Sequence, residues 1–192
     1  MRSCHLGGRP RPRGEADFHT RSGLLARRRG AGELIELRFP ADRAAPSPPP
    51  DLGIGGVVAY GLGRRFALVE LASAAEVRAL EPDLGRLATL GAGGVVVAAP
   101  GGTPGIDIVS RVLCPNAGIP EDPVTGSAHC LLAVHWGERL GGDELVGGAG
   151  LPAGRGRPDA PRGGYGGPRR DGRHTVAQVR LDVPGACWHR PA

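Results

Sequence analysis

The stretch Gly118-Ile-Pro-Glu-Asp-Pro-Val-Thr-Gly-Ser-Ala-His-Cys130 decides how the rest of this sequence is interpreted. Together with Pro115, its prolines and glycines predict a rigid loop from Pro115 to Ser127. Residues 127–140 follow and are apolar on nearly all sides, which is typical of a helix that is buried over most of its surface. Gly141 is the expected C-cap. The sequence therefore predicts a core helix whose N-terminus is approached by a proline-rich loop.

This loop carries two carboxylates, Glu121 and Asp122, to the N-terminus of the predicted helix. The first amides of a helix have no internal partners, and the helix dipole favours anions there. Gly126 allows a ligand to approach the backbone without a Cβ in the way, and Ser127 adds a hydroxyl. These features predict a cradle for a carboxylate or phosphate with an acid–base group beside it. A simpler interpretation stays open, in which Thr125 or Ser127 only caps the helix and Asp122 adds favourable charge.

Upstream of the loop, strand-like and helical patterns alternate. Ser73 and Glu76 form a capping box that begins a helix, Pro82 interrupts it, and leucines at 84, 87 and 90 resume an apolar stripe. The continuous apolar run Val95–Ala99 is typical of a buried strand. Further strands are expected at Val57–Tyr60, Phe66–Leu71 and Ile106–Leu113.

Composition divides the 192 residues, which include 34 glycines and 19 prolines, into segments: residues 1–16 are mainly Arg, Gly and Pro, and residues 147–173 are mainly Gly, Arg, Pro and Ala. A segment of this kind buries too little apolar surface to offset the entropy of ordering its backbone. The five expected segments are a disordered N-terminus (1–16), a strand hairpin (17–40), a Pro-rich linker (41–56), a folded unit (57–146) and a mostly disordered tail (147–192) with one late strand at Val176–Val183.

The charge distribution argues against nucleic acid as the partner. All 24 basic residues are arginines, and the net charge is +5, but residues 31–150 carry eight arginines against fourteen acidic residues. A nucleic-acid-binding protein carries its positive field on a folded face, whereas here the positive charge lies at the two ends. The Arg- and Gly-rich stretch 155–173 keeps single-strand binding open as the less favoured alternative.

The sequence contains no pattern typical of a membrane span, a secretory signal or a metal site. No apolar run approaches the roughly 20 residues of a membrane span, and the first 14 residues contain no apolar stretch typical of a secretory signal. We therefore expect a cytoplasmic protein. Its four cysteines form no CxxC pair and its six histidines add no ligands at metal spacing, so we expect free thiols and no metal.

The Gly118–Cys130 stretch, followed by a helix that ends in Trp136-x-Glu-Arg-Leu-Gly141, resembles the signature of the PhzF-like phenazine biosynthesis family, whose members share the diaminopimelate epimerase fold. The resemblance extends upstream to about Phe18. It implies an α+β protein in which each half is an antiparallel barrel-like sheet around one central helix, with the active site between the halves. Residues 127–140 would be the central helix of the second half, and residues 17–40 would be a remnant of the first.

The function that the resemblance implies is a cofactor-independent isomerase or epimerase that transfers a proton on a small carboxylate substrate. By match to the motif, Asp122 is the catalytic carboxylate, and Gly126, Ser127 and His129 contact the substrate. For His129 a packing role, hydrogen-bonded to the backbone, stays equally open. Cys130 lies inside the predicted helix, so a thiol mechanism is not expected.

Two departures from the family pattern limit this expectation. The first-half glutamate that serves as general acid/base, in an asparagine-x-serine-glutamate-type segment, and the CGHAT-type helix start have no match in this sequence. We therefore expect the first half to be largely missing and the chain alone to be impaired, with a non-catalytic anion-binding protein as the alternative. The loss of strand patterning after Val146 indicates shifted reading frames at the ends. Open sheet edges lead us to expect a homodimer. The residues do not identify the substrate.

Overall fold

The computed structural model describes residues 15–20, 23–29, 35–39, 41–122, 125–141 and 145–150. The expectations for residues 1–14 and for the tail from 151 onward, including the strand at Val176–Val183, lie outside the described residues. Within the described residues no helix is both long enough and apolar enough to cross a membrane.

The first described strands form a small antiparallel sheet of three strands in the order β1-β2-β3. The hairpin expected over residues 17–40 is thus extended by one strand. The bounds are Glu15–Thr20 for β1, Gly23–Arg29 for β2 and Ile35–Arg38 for β3.

A second, seven-stranded mixed sheet organises the rest of the described chain. Its order is β10-β8-β7-β6-β5-β4, and β9 also pairs with β8. The pairs β6–β7 and β8–β10 are parallel because helices connect them. The strands are β4 (Ala45–Pro46), β5 (Val57–Leu62), β6 (Phe66–Leu71), β7 (Gly94–Thr103), β8 (Ile106–Cys114), β9 (Ile119–Asp122) and β10 (Gly147–Ala149).

Two short helices, α1 (Ala74–Ala79) and α2 (Leu84–Ala88), cover one face of this sheet. The predicted capping box begins α1, since the Ser73 hydroxyl accepts the Glu76 amide at 3.2 Å and the Glu76 carboxylate accepts the amide of Ala72 at 3.0 Å. The two helices are separate, as Pro82 predicts. They pack on a core cluster that contains Val77, Leu87, Val95 and Val97.

The longest helix, α3 (Gly126–Leu140), packs on the opposite face, so the sheet is sandwiched between helices. Its buried residues Ala128, Leu131, Leu132 and Trp136 contact the strands through Phe66, Leu68 and Val96, among others. Gly141 caps it in the left-handed region at φ 69°. The α+β class and the buried central helix are confirmed, and the strand Val95–Ala99 is buried on both faces as predicted.

The segment 41–56 differs from the expected linker because it packs on the sheet. β4 pairs with β5, and both Asp42 and Leu52 are buried. The Asp42 carboxylate accepts the Arg64 amide at 3.1 and 3.2 Å, while its own amide donates to the Cys130 carbonyl at 3.2 Å. These bonds tie the segment to the β5–β6 turn and to α3.

The prediction of an unbroken loop over 115–127 is wrong. A short 3-10 helix (Pro115–Ala117) ends at Gly118, whose φ of 73° turns the chain into β9. β9 runs along the C-terminal half of β8, and β10, made of the first residues of the expected disordered tail, runs along its N-terminal half. An edge of β8 that is open to pairing explains both strands, and Pro120 is tolerated because an edge strand need not donate from every residue.

Candidate active site

Asp122 is the last residue of β9 and lies at the entrance to α3. Its cross-strand partner is Val112, which packs on the α3 side of the sheet, so Asp122 is on that side as well. The Thr125 hydroxyl donates to Asp122 Oδ2 at 2.6 Å. The sheet and the first residue before the helix therefore hold this carboxylate at the start of α3.

The start of α3 is not capped by the side chain that occupies the N-cap position. Thr125 has the extended backbone of an N-cap, as the simpler interpretation expected, but its side chain makes no capping bond. Its hydroxyl is directed to Asp122 instead. Gly126 and Ser127, the first two residues of the helix, are half-buried. The structure thus brings Asp122, Gly126 and Ser127 together at one helix end.

Glu121, which the sequence placed beside Asp122, lies on the other side of the sheet. Its carboxylate forms a bidentate pair with Arg111, with Nε to Oε1 at 2.7 Å and Nη2 to Oε2 at 2.9 Å. Adjacent residues of a strand point to opposite faces. The expectation of two carboxylates in one site is therefore wrong, and Asp122 alone lies beside the helix start.

His129 lies one turn into α3 and is bonded to the backbone. Its Nδ1 is 3.0 Å from the Thr125 carbonyl oxygen. Burial lowers the pKa of the imidazole below its usual 6.5, and the bond to Thr125 opposes this shift. The neutral ring then donates from Nδ1, which leaves Nε2 as an acceptor close to Gly147 of β10. This geometry fits the packing role and also places an acceptor near the helix start.

Neither described thiol is suited to nucleophilic chemistry. Cys130 is buried within α3, and burial, reinforced by Asp42, raises its pKa to about 11. Burial also raises the pKa of Cys114, the nearby Asp122 charge adds to that shift, and Arg65 opposes it. Because the thiolate is the reactive form, both cysteines are expected to act as core residues.

A polar network around the buried carboxylate of Glu70, which two side chains of α3 contact, was not found from the sequence. The Glu70 carboxylate of β6 is 2.7 Å from His135 Nε2 and 2.5 Å from Arg139 Nη2. Arg139 is exposed, as the sequence indicated, but only the fold brings it to a partner 69 residues away. The network lies in the C-terminal half of the helix, away from Asp122. In the described part of the chain, no three His, Cys, Asp or Glu side chains gather as a metal site requires.

The sequence of this chain is similar to that of a known protein family and of several bacterial proteins. Residues 53–146 match the family described as phenazine biosynthesis-like protein, PhzC-PhzF. An uncharacterized isomerase of Pseudomonas aeruginosa is 42% identical over 131 residues, which cover 67% of this chain and 49% of that protein. An uncharacterized isomerase of Halalkalibacterium halodurans is 35% identical over 134 residues, with 67% and 50% covered. The chain spans about half the length of these relatives.

Solved structures show the same fold. A phenazine biosynthesis PhzC/PhzF protein from Clostridium difficile superposes with a TM-score of 0.61 at 32% identity, over 71% of this chain and 52% of that chain. A PhzF family protein from Enterococcus faecalis also reaches 0.61 at 30% identity, over 72% and 54%. Both similarities support the diaminopimelate epimerase-like architecture implied by the sequence.

Proposed function

Because the chain belongs, through residues 53–146, to the PhzC-PhzF family of phenazine biosynthesis-like proteins, we propose that it supplies the second half of a cofactor-independent isomerase. Two relatives that match two thirds of the chain carry the name isomerase. The substrate that we propose is a small molecule with a carboxylate, and the reaction is a proton transfer close to that group.

The observation that carries this proposal is the arrangement of Asp122 and Thr125 at the start of α3. The Thr125 hydroxyl orients the Asp122 carboxylate at 2.6 Å and makes no capping bond to the helix. The amides of Gly126 and Ser127 then provide donors for a substrate carboxylate, and the helix dipole favours its charge. Asp122 beside them acts as a general acid or base, and His129 contributes an acceptor.

An isomerase of this kind needs a second acid–base group on the opposite side of the substrate. The sequence contains no match to the first-half glutamate that the family resemblance implies. We therefore propose that the group belongs to a first half of the fold, which this sequence does not contain. The alternative is a non-catalytic protein that binds small carboxylates at the same helix end.

Deuterium exchange tests the proposal directly. The full chain is incubated in D2O with a panel of small α-substituted carboxylic acids, alone and with the part of the Pseudomonas relative that it does not cover. We expect deuterium incorporation with the complementing part present, and a loss of about a hundredfold or more in Asp122→Asn. Asp51→Asn, which removes an exposed carboxylate paired with Arg86, is the matched control and should exchange normally.

The remaining outcomes separate the alternatives. Binding of a carboxylate at the Gly126 and Ser127 amides without any exchange favours the non-catalytic protein. If neither binding nor exchange occurs with the complementing part present, the proposed function is overturned.

A further inference from the structure

We propose that Arg111 is a positioning residue whose bidentate pair with Glu121 determines which face of the sheet Asp122 presents. The inference rests on the proposed role of Asp122 as the acid–base group. Arg111 lies on β8 and reaches neither Thr125 nor the first residues of α3 in any described hydrogen bond, so its effect is transmitted through β9.

The backbone pairing of β9 is too weak to specify its own register. The strand has four residues, and one of them, Pro120, has no amide to donate. Its pairing with β8 is also irregular, because the register shifts between the pairs Val112–Asp122 and Cys114–Ile119. In a strand a slip of one residue exchanges the two faces for every side chain.

The Arg111 side chain is also fixed by contacts other than its pair with Glu121. Its side chain is 3% exposed, and Nη1 donates to the carbonyl oxygens of Val77 at 3.0 Å and Leu80 at 2.6 Å, at the C-terminal end of α1. The guanidinium plane is thereby fixed, and its remaining donors form the two parallel bonds to Glu121. A planar fork of this kind recognises one carboxylate orientation, which an ammonium group does not do.

The pair therefore acts on Asp122 through strand alternation. While Glu121 is bound on the α1 side of the sheet, its neighbour must point to the α3 side, where Thr125 is located. A one-residue slip would direct Asp122 to the α1 side in place of Glu121. The Asp122 side chain is one methylene shorter, so it would not reproduce the bidentate pair with the fixed guanidinium of Arg111. The ion pair is thus expected to select the register in which the site is assembled.

Two variants separate positioning from stability. Glu121→Gln keeps the size of the side chain but removes the charge and one of the two acceptor oxygens. The double variant Arg111→Met, Glu121→Leu replaces the ion pair with apolar side chains of similar volume, a change that often leaves stability unaltered. Arg86→Lys is the matched control, because Arg86 forms an exposed pair with Asp51 at 2.7 Å outside the site.

Two NMR measurements on the full chain report the result. Backbone cross-strand NOEs between residues 112 and 122 report the register without any ligand. A titration with sodium acetate, followed at the Gly126 and Ser127 amides, reports carboxylate binding. We expect both variants to lose the 112–122 NOEs and to bind acetate at least tenfold more weakly, and Arg86→Lys to match the wild type.

The outcomes distinguish this inference from the proposed function. Wild-type NOEs and wild-type acetate affinity in the folded double variant would overturn the positioning role, and so would loss of folding in both variants. If acetate shifts no amide in the wild type while the variants still lose the 112–122 NOEs, the proposed function fails and the register role of Arg111 stands.

Discussion

At the scale of single residues, the hydroxyl of Thr125 binds a neighbouring carboxylate and not the amides at the N-terminus of α3. A threonine at this position ordinarily caps the helix with its hydroxyl, which is worth about 1 kcal/mol. Here the hydroxyl donates to Asp122 and the side chain makes no capping bond. The Thr125 hydroxyl therefore orients the Asp122 carboxylate and does not cap the helix itself.

His129 gives this end of the helix a pH dependence that can be measured. Its pKa is lowered by burial, so in the unfolded chain the imidazole takes up a proton more readily than in the native protein. Its contribution to stability is therefore fully present above the unfolded pKa of about 6.5 and is lost as the pH falls towards the lower, folded value. We expect the free energy of unfolding to decrease between pH 7.5 and 5.

Urea denaturation across this range, with His129→Gln alongside, checks the prediction. The difference between wild type and variant isolates His129 from the other titrating groups and should change with pH in the stated direction. His19→Gln, at an exposed histidine outside α3, is the matched control. A wild-type-minus-His129→Gln difference that is constant with pH would show that the imidazole does not titrate differently on folding.

At the scale of elements, polar contacts hold α3 near both ends, to the segment before β4 at one end and to β6 at the other. Near its N-terminus, the Cys130 carbonyl accepts the Asp42 amide, and in its C-terminal half Glu70 binds His135 and Arg139. Hydrophobic burial is not directional, so the apolar face specifies the axial position of the helix less strictly than hydrogen bonds do. The polar contacts therefore determine where along the sheet the helix start, and with it the site, is placed.

Removal of the Glu70 charge tests this anchoring. Glu70 is 5% exposed in its side chain, so Glu70→Gln replaces a buried charged acceptor with a neutral one for His135, whose side chain is 19% exposed, and for the more exposed Arg139. We expect the free energy of unfolding to fall by about 1.5–3 kcal/mol in urea titration. The control is Glu138→Gln on the same helix, whose exposed pair with Arg43 should contribute less than about 1 kcal/mol. Equal losses in the two variants would contradict the anchoring.

At the scale of the whole molecule, the described chain leaves apolar surface at the edge of its larger sheet. In the described chain, β4 pairs with β5 at Gly61 and Leu62, and the Ser47 amide donates to the Tyr60 carbonyl at 3.1 Å. Val58, further along β5, is 53% exposed. An unpaired edge with an apolar side chain favours pairing with another chain. We propose that β5 is the edge through which two copies associate.

Light scattering of the full chain tests the homodimer. We expect a mass of twice 19.7 kDa, and we expect Val58→Lys to give the single-chain mass, because a charged side chain at a strand edge opposes pairing. Leu140 is also exposed and apolar but lies on α3, so Leu140→Lys should remain dimeric. A monodisperse monomer for the wild type would contradict the prediction, and a dimeric Val58→Lys would exclude the β5 edge.

Elements whose cause is local could be predicted from the sequence. The α3 helix, its Gly141 cap, the Ser73 capping box and the buried run Val95–Ala99 all form from residues within a few positions of one another. Helical periodicity and cap chemistry act over one or two turns, so these features are encoded where they occur. For the same reason the motif alone located the helix start and placed Asp122 beside it.

The tertiary structure decided everything that depends on partners far apart in the chain. Whether residues 119–122 form a strand depended on an open edge of β8, and whether Glu121 joined Asp122 in the site depended on Arg111. Glu70 meets Arg139 across 69 positions of sequence. A buried charge must find an opposite charge in space rather than in sequence, so its partner becomes known only when the sheet and helices are assembled.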